Sequence, residues 1–188
     1  MRTVPFMELT MSFGVSARRS FLSWLLCFPL VAAADMSDAT SQLLTAIMTN
    51  NAAMARTAID AGADIDGDTG EGRTPLIVAA MTTKPALVQL LLERGADPKR
   101  RADDPSIGNA TTAAFFAMNG AELTGRADEV DPKKHADALE VLRLISAKKA
   151  DLDLPVRRGP RMLTALMIAT QFGARDAVQI LLAAGAKR

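Results

Sequence analysis

Gly72-Arg73-Thr74-Pro75-Leu76-Ile77-Val78-Ala79-Ala80 gives the clearest local indication of the fold. Thr74 can accept a backbone hydrogen bond as a helix N-cap, and Pro75 then occupies the first helical position, where its missing N–H costs nothing. Apolar residues spaced three and four apart follow within the next turns and indicate a second amphipathic helix. The stretch therefore predicts two short helices, at about Pro75–Met81 and about Ala86–Arg94.

The same frame recurs along the chain. Gly62-Ala63-Asp64 precedes Gly95-Ala96-Asp97 by 33 residues, and Thr164 precedes Gly185 by 21 residues, the same separation as between Thr74 and Gly95. The sequence predicts four copies, at about 38–66 (copy one), 70–101 (copy two), 109–154 (copy three) and 160–188 (copy four). Copy three begins its first helix after Thr112 and carries an insertion at 119–135.

This repetition resembles that of the ankyrin-repeat family, whose period is about 33 residues and whose signature is Thr-Pro-Leu-His-x-Ala. The His of the signature is replaced by Ile77, Phe115 and Met167, and Lys149 stands where the other copies have Gly. The resemblance implies an all-α solenoid of stacked helix-turn-helix units with short hairpin loops. Helices this short are unstable alone, so each copy must bury its apolar face against a neighbour.

The resemblance also implies a function. It points to a non-enzymatic scaffold or adaptor, a monomer that binds another protein through a concave surface of hairpin tips and first helices. Phe172 is the strongest single candidate, because a large apolar side chain at a turn should be exposed. Carried over by position, the contact residues would be Glu71, Arg73, Met81 and Thr82 in copy two and Arg161, Leu163, Gln171 and Phe172 in copy four.

Composition excludes several other classes of function. The 22 Lys and Arg residues balance 21 Asp and Glu residues, which argues against a nucleic-acid binder. One Cys and one His exclude a zinc cluster, a disulfide framework and most His-dependent catalysis, so no catalytic, cofactor-binding or metal-ligating residue is predicted. The Met residues are expected to fill the core, and the terminal copies to be polar on the outside.

Three charged features have alternative interpretations. Asp64, Asp66 and Asp68 crowd one loop, but an EF-hand would need Gly and Glu where Thr69 and Pro75 stand, so we expect solvated acids. Lys99-Arg100-Arg101 is either a solvated loop or a contact for an acidic partner. The insertion at 119–135 is the basis of the alternative function, a small periplasmic enzyme or ligand-binding protein, with His135 expected in a charged loop.

The first 34 residues have the pattern of a secretory signal peptide. Arg18 and Arg19 precede an apolar run over residues 21–31, and small residues follow up to Ala34, after which cleavage is expected. Export by the Sec or the twin-arginine route would deliver residues 35–188 to the periplasm or outside the cell, with no membrane attachment after cleavage. Together with the small residues up to Ala34, the apolar run spans about 14 residues, against about 20 for a spanning helix. The alternative is an uncleaved anchor in the inner membrane.

Overall fold

The computed structural model describes residues 33–69, 72–104, 109–118, 131–148, 150–158 and 160–187. Glu71, Lys149 and most of the insertion (119–130) lie outside the described residues, as does nearly all of the predicted leader (1–32). The described part of the chain contains eight helices: α1 (Ala33–Met48), α2 (Ala52–Asp60), α3 (Pro75–Met81), α4 (Pro85–Glu93), α5 (Ala113–Met118), α6 (Pro132–Ala147), α7 (Ala165–Gln171) and α8 (Arg175–Ala183).

The first helices begin at side-chain caps. Thr74 Oγ1 accepts the N–H of Ile77 at 3.3 Å, and Pro75 occupies the first turn of α3 as predicted. In copy four, Thr164 Oγ1 accepts the N–H of Met167 at the same distance, 3.3 Å. Each cap satisfies a backbone donor that the helix itself leaves unpaired. The predicted start of the repeated unit is therefore confirmed at both copies.

The second helices end in a left-handed glycine. Gly95 has a φ of 95°, its N–H donates to the Leu92 carbonyl oxygen, and the N–H of Ala96 donates to that of Leu91 at 2.9 Å. This pair of hydrogen bonds is a Schellman motif, in which glycine avoids the cost of a Cβ at positive φ and the next residue packs on the helix. The same pair of hydrogen bonds ends the helices before Gly62 and Gly185. This shared motif explains why Gly-Ala recurs in the sequence.

The helix pairs stack in chain order. The first helices make contacts in the series α1–α3–α5–α7, and the second helices in the series α2–α4–α6–α8. Small residues on the first helices, such as Ala79 and Ala169, are fully buried, so that neighbouring backbones can approach closely. Leu91 and Leu181 of the second helices are also fully buried and belong to the same core. The described residues thus form an all-α solenoid of helix-turn-helix units, as predicted.

Two antiparallel hairpins join the copies. The first pairs β1 (Ala102–Asp104) with β2 (Asn109–Thr111), and the second pairs β3 (Val156–Arg158) with β4 (Arg161–Leu163). β2 lies next to β3, and each hairpin has a buried residue at its base, Ala102 in the first and Val156 in the second. The hairpins are the short hairpin loops of the predicted architecture, and they connect α4 to α5 and α6 to α7.

The second helix of copy two is confirmed within one residue of its predicted bounds: α4 begins at Pro85, because proline is tolerated in the first turn of a helix. One local expectation was wrong. His135 lies in the first turn of α6 and not in a loop, because Asp131 caps this helix by accepting the N–H of Lys133 at 2.9 Å, and Pro132 follows at the first position. Within the described residues, no helix is both long enough and apolar enough to span a membrane.

Candidate functional site

The predicted contact residues of copy two lie around the ends of α3. Arg73 is half-buried before the helix, with its guanidinium carbon 5.9 Å from the centroid of the Phe116 ring of copy three. A cation over an aromatic face at this distance is an attractive contact. The Arg73 carbonyl oxygen also accepts the N–H of Thr69 at 2.8 Å and its hydroxyl at 2.9 Å. Arg73 therefore braces the junction between copies two and three from the inside.

Met81 and Thr82 lie at the other end of α3, and both are half-buried. The hydroxyl of Thr82 donates to the carbonyl oxygen of Val78 at 2.8 Å, so it is occupied within the helix. Hydroxyls that bond back to the preceding turn in this way are common in helices. Met81 and Thr82 are therefore only partly accessible at this end of copy two.

The predicted contact residues of copy four are more open. Phe172 is the C-cap of α7, and 43% of its surface is exposed. Gln171 before it and Arg161 on β4 are exposed, whereas Leu163 at the end of β4 is half-buried. Phe172 occupies the place that Thr82 has in copy two, directly after the first helix. The predicted exposure of Phe172 is confirmed, and its role in binding stays a prediction.

A shallow cavity of about 280 Å³ lies between the loop of copy one and the hairpin base of copy two. Its charged lining has both signs: Asp66, Asp68, Arg73, Arg100 and Arg101. Two of these arginines have partners in the chain, because Arg100 Nη2 donates to the Asp66 carbonyl oxygen at 3.2 Å and Arg101 Nη2 lies 3.7 Å from a carboxylate oxygen of Asp151. The basic tip is thus anchored to neighbouring copies at its base.

Comparison with known protein families finds a match in the first part of the chain. Residues 15–102 match the family of ankyrin repeats (3 copies). The matched range contains helices α1 to α4 and starts inside the predicted leader, while copies three and four lie beyond it. No curated protein matches the chain. Ankyrin repeats support a protein–protein interaction module, and proteins built from them are generally non-enzymatic scaffolds.

The acidic loop at the end of copy one binds backbone N–H groups. Asp64 Oδ1 accepts the N–H of Asp66 at 3.1 Å, which is the local turn that aspartate favours. The carboxylate of Asp66 in turn accepts the N–H of Asp97 in copy two, at 3.0 and 3.3 Å from its two oxygens. Among the described residues, no three His, Cys, Asp or Glu side chains are grouped to hold a metal ion. The carboxylate of Asp66 therefore connects copy one to copy two.

The enzymatic alternative depends on the insertion in copy three. Of its residues 119–135, the structure describes only 131–135, where the chain enters α6. His135 is half-buried, and its N–H donates to the Asp131 carbonyl oxygen at 2.9 Å as part of the helix. The described part of the insertion is therefore the start of a helix.

Sequence reasoning missed one surface. The side of copy four that faces away from copy three is apolar, although the terminal copy was expected to be polar on the outside. It forms an open cavity of about 570 Å³ with a lining that includes Leu166, Met167, Val178 and Leu182. We call these four residues the outer face of copy four. The expectation that Met residues fill the core is also wrong at Met167, which is exposed. Burial depends on whether another repeat stacks on this side, which residue type does not reveal.

Proposed function

We propose that this protein is a non-enzymatic scaffold or adaptor that binds another protein through the hairpins and first helices of its ankyrin repeats. The binding surface would comprise Arg73, Met81 and Thr82 of copy two, together with Arg161, Leu163, Gln171 and Phe172 of copy four. Glu71 belongs to the same proposed surface and lies outside the described residues.

The observation that carries the proposal is the exposure of Phe172. A phenylalanine with 43% of its surface in water loses the free energy that burial would provide, and it is held at the C-cap by the bond from its N–H to the Ile168 carbonyl oxygen at 3.1 Å. Large apolar side chains held in place on a surface are typical anchors of protein interfaces. Arg161 and Gln171 are exposed as well and would supply the polar rim around this anchor.

The proposal is tested by capturing binding partners with the exported protein and its Phe172→Ala and Arg161→Glu variants. We expect both variants to recover less of a given partner, by about tenfold or more for Phe172→Ala if it is an anchor. Gln179→Ala, at an exposed position of α8, is the matched control and should recover the partner fully. Unchanged recovery by both surface variants would overturn the proposed surface, while helical circular dichroism checks that each variant is folded.

We also propose that the protein is exported to the periplasm or secreted. Support comes from Arg18 and Arg19, the apolar run at 21–31 and the small residues up to Ala34. Sequencing the N-terminus of the exported protein should give a chain that starts at Asp35. An intact N-terminus in the inner-membrane fraction would favour the alternative, an uncleaved anchor.

A further inference from the structure

The outer face of copy four has the composition of an internal stacking face. On their other side, α7 and α8 pack against α5 and α6 of copy three. Val178 and Leu182 on α8 remain half-buried, and Met167 on α7 has 50% of its surface exposed. Together with Leu166 they border the cavity of about 570 Å³. Within the part of the chain that the structure describes, no repeat covers this face.

Copy two shows what such a face does when a neighbour is present. Ile77 occupies the same position as Met167, since each donates its N–H to the capping threonine of its helix. Only 1% of Ile77 is exposed, because α3 and α4 of copy two are covered by α5 and α6 of copy three. Val88 and Leu92, the equivalents of Val178 and Leu182, are also buried there. The outer face of copy four is therefore a stacking face of the same pattern that no other described residue covers.

Two positions at the opposite end of the solenoid are polar where an internal copy is apolar. In copy one, Gln42 and Thr57 are exposed, whereas Pro75 and Leu90 at the equivalent positions of copy two are buried. Head-to-tail stacking of two chains would therefore place the outer face of copy four against these polar side chains. Contact between two outer faces of copy four would instead place apolar side chains against apolar side chains.

The edge of the cavity carries one negative and one positive side chain, so that two copies of this face could pair opposite charges. Asp153 and Lys187 both line it, with the Lys187 ammonium 3.9 Å from a carboxylate oxygen of Asp153 and its side chain 86% exposed. Separately, the backbone N–H of Lys187 donates to Asp153 Oδ1 at 2.7 Å, which keeps the two residues together. A two-fold axis through the cavity would bring the ammonium of each chain to the carboxylate of the other.

We propose that this protein forms a two-fold symmetric dimer in which the outer faces of copy four stack on each other. The contact continues the stacking interface that already joins the repeats of one chain. Two helices of seven and nine residues offer less area than the roughly 800 Å² per partner of a standard stable interface. The dimer is therefore reversible and forms as the protein concentration rises. It leaves Phe172 outside the contact, so it is independent of the proposed partner-binding surface.

The test is sedimentation velocity of the full chain over a wide range of concentrations, with the Met167→Glu variant alongside. We expect the unmodified chain to shift from monomer to dimer and Met167→Glu to dimerise at least about tenfold more weakly, because it buries like charges near the axis. The variant keeps its fold, since Glu three residues after Thr164 completes a capping box. Met48→Glu changes an exposed methionine of α1, is the matched control and should dimerise like the unmodified chain.

A charge exchange tests the two-fold symmetry directly. Lys187→Asp and Asp153→Lys should each weaken self-association, and mixing the two variants should restore a dimer that contains one chain of each. The proposal is overturned if the unmodified chain stays monomeric at high concentration, if Met167→Glu leaves association unchanged, or if oligomers keep growing beyond the dimer. The last result would indicate head-to-tail stacking.

Discussion

Copies two and four have the same local backbone structure and differ in their surroundings. In both copies the threonine Oγ1 accepts a backbone N–H at 3.3 Å at the start of the first helix, and a left-handed glycine, Gly95 or Gly185, ends the second helix. Ile77 and Met167 follow these caps at the same position, yet Ile77 is buried and Met167 is half open to water. Local sequence rules therefore build each unit, while neighbouring units determine how much each residue contributes to stability. Four pairs of substitutions measure this difference.

The largest effect is expected at the two equivalent apolar positions. Ile77→Ala should lower the free energy of unfolding by about 2–5 kcal/mol, because it leaves a cavity between copies two and three. Met167→Ala should lower it by about 0.5 kcal/mol, because half of the side chain is already in water. Urea denaturation followed by circular dichroism measures both losses. Similar losses at the two positions would show that copy four is covered as completely as copy two.

The capping threonines should differ in the same direction. Thr74 is buried, so Thr74→Ala strands the N–H of Ile77 away from water and should cost about 1–2 kcal/mol. Thr164 is half-buried, and Thr164→Ala should cost about 0.5–1 kcal/mol, because water can replace the lost acceptor. Thermal unfolding compares the variants, with Thr74→Ser and Thr164→Ser as controls that keep the hydroxyl. A larger loss at Thr164 would contradict this account.

The aspartates that connect neighbouring copies provide a third comparison. Asp66 accepts the N–H of Asp97 between copies one and two. Asp153 accepts the N–H of Lys187 at 2.7 Å after the last described helix. Asp66→Ala should cost about 1 kcal/mol, and Asp153→Ala less, because the segment around Lys187 is held by fewer neighbours. Asn variants keep an acceptor oxygen and should recover most of the loss. Hydrogen exchange at the two amides would measure each effect separately.

The smallest expected effect concerns the turn between the two helices of a copy. Thr83 in copy two has a φ of 54°, a region that β-branched residues rarely adopt, whereas Gly173 holds the same place in copy four and Asn50 in copy one. Thr83→Asn should stabilise the protein by about 0.5 kcal/mol, because asparagine tolerates this conformation. Gly173→Thr is the reverse test and should destabilise it. A loss of stability in Thr83→Asn would show that the threonine side chain makes a compensating contact.

Much of the fold could be predicted because its signals are local. Thr74 marks a helix start because its side chain accepts a backbone N–H, and Pro75 because it has no N–H to satisfy. Gly95 marks a helix end because it tolerates a positive φ. None of these signals depends on distant residues. Phe172 was correctly expected at the surface, since it follows directly after a short helix. The start of α6 was missed, since Asp131-Pro132 before His135 indicates a loop and a capped helix start equally well.

The candidate site was less predictable because it depends on contacts between copies. The binding role predicted for Arg73 stays a prediction, and the sequence did not reveal that its guanidinium lies over the Phe116 ring of the next copy. The Lys99-Arg100-Arg101 segment was interpreted from its charge as a solvated loop or a partner contact. In the structure, Arg100 donates a hydrogen bond to the Asp66 carbonyl oxygen of copy one, and Arg101 forms an ion pair with Asp151 of copy three. No spacing rule specifies which of two exposed-looking arginines faces a neighbouring copy.

By itself, the sequence determined the unit of this protein: a capped first helix, a second helix closed by glycine, and a period of 33 residues that repeats them. These features follow from backbone conformation and hydrogen bonding within a few residues. Only the tertiary structure decided which of the equivalent apolar side chains enter the core and which remain on the outer face of copy four. Burial is a property of the neighbours that a residue acquires, and stacking supplies a neighbour to Ile77 and none to Met167 among the described residues.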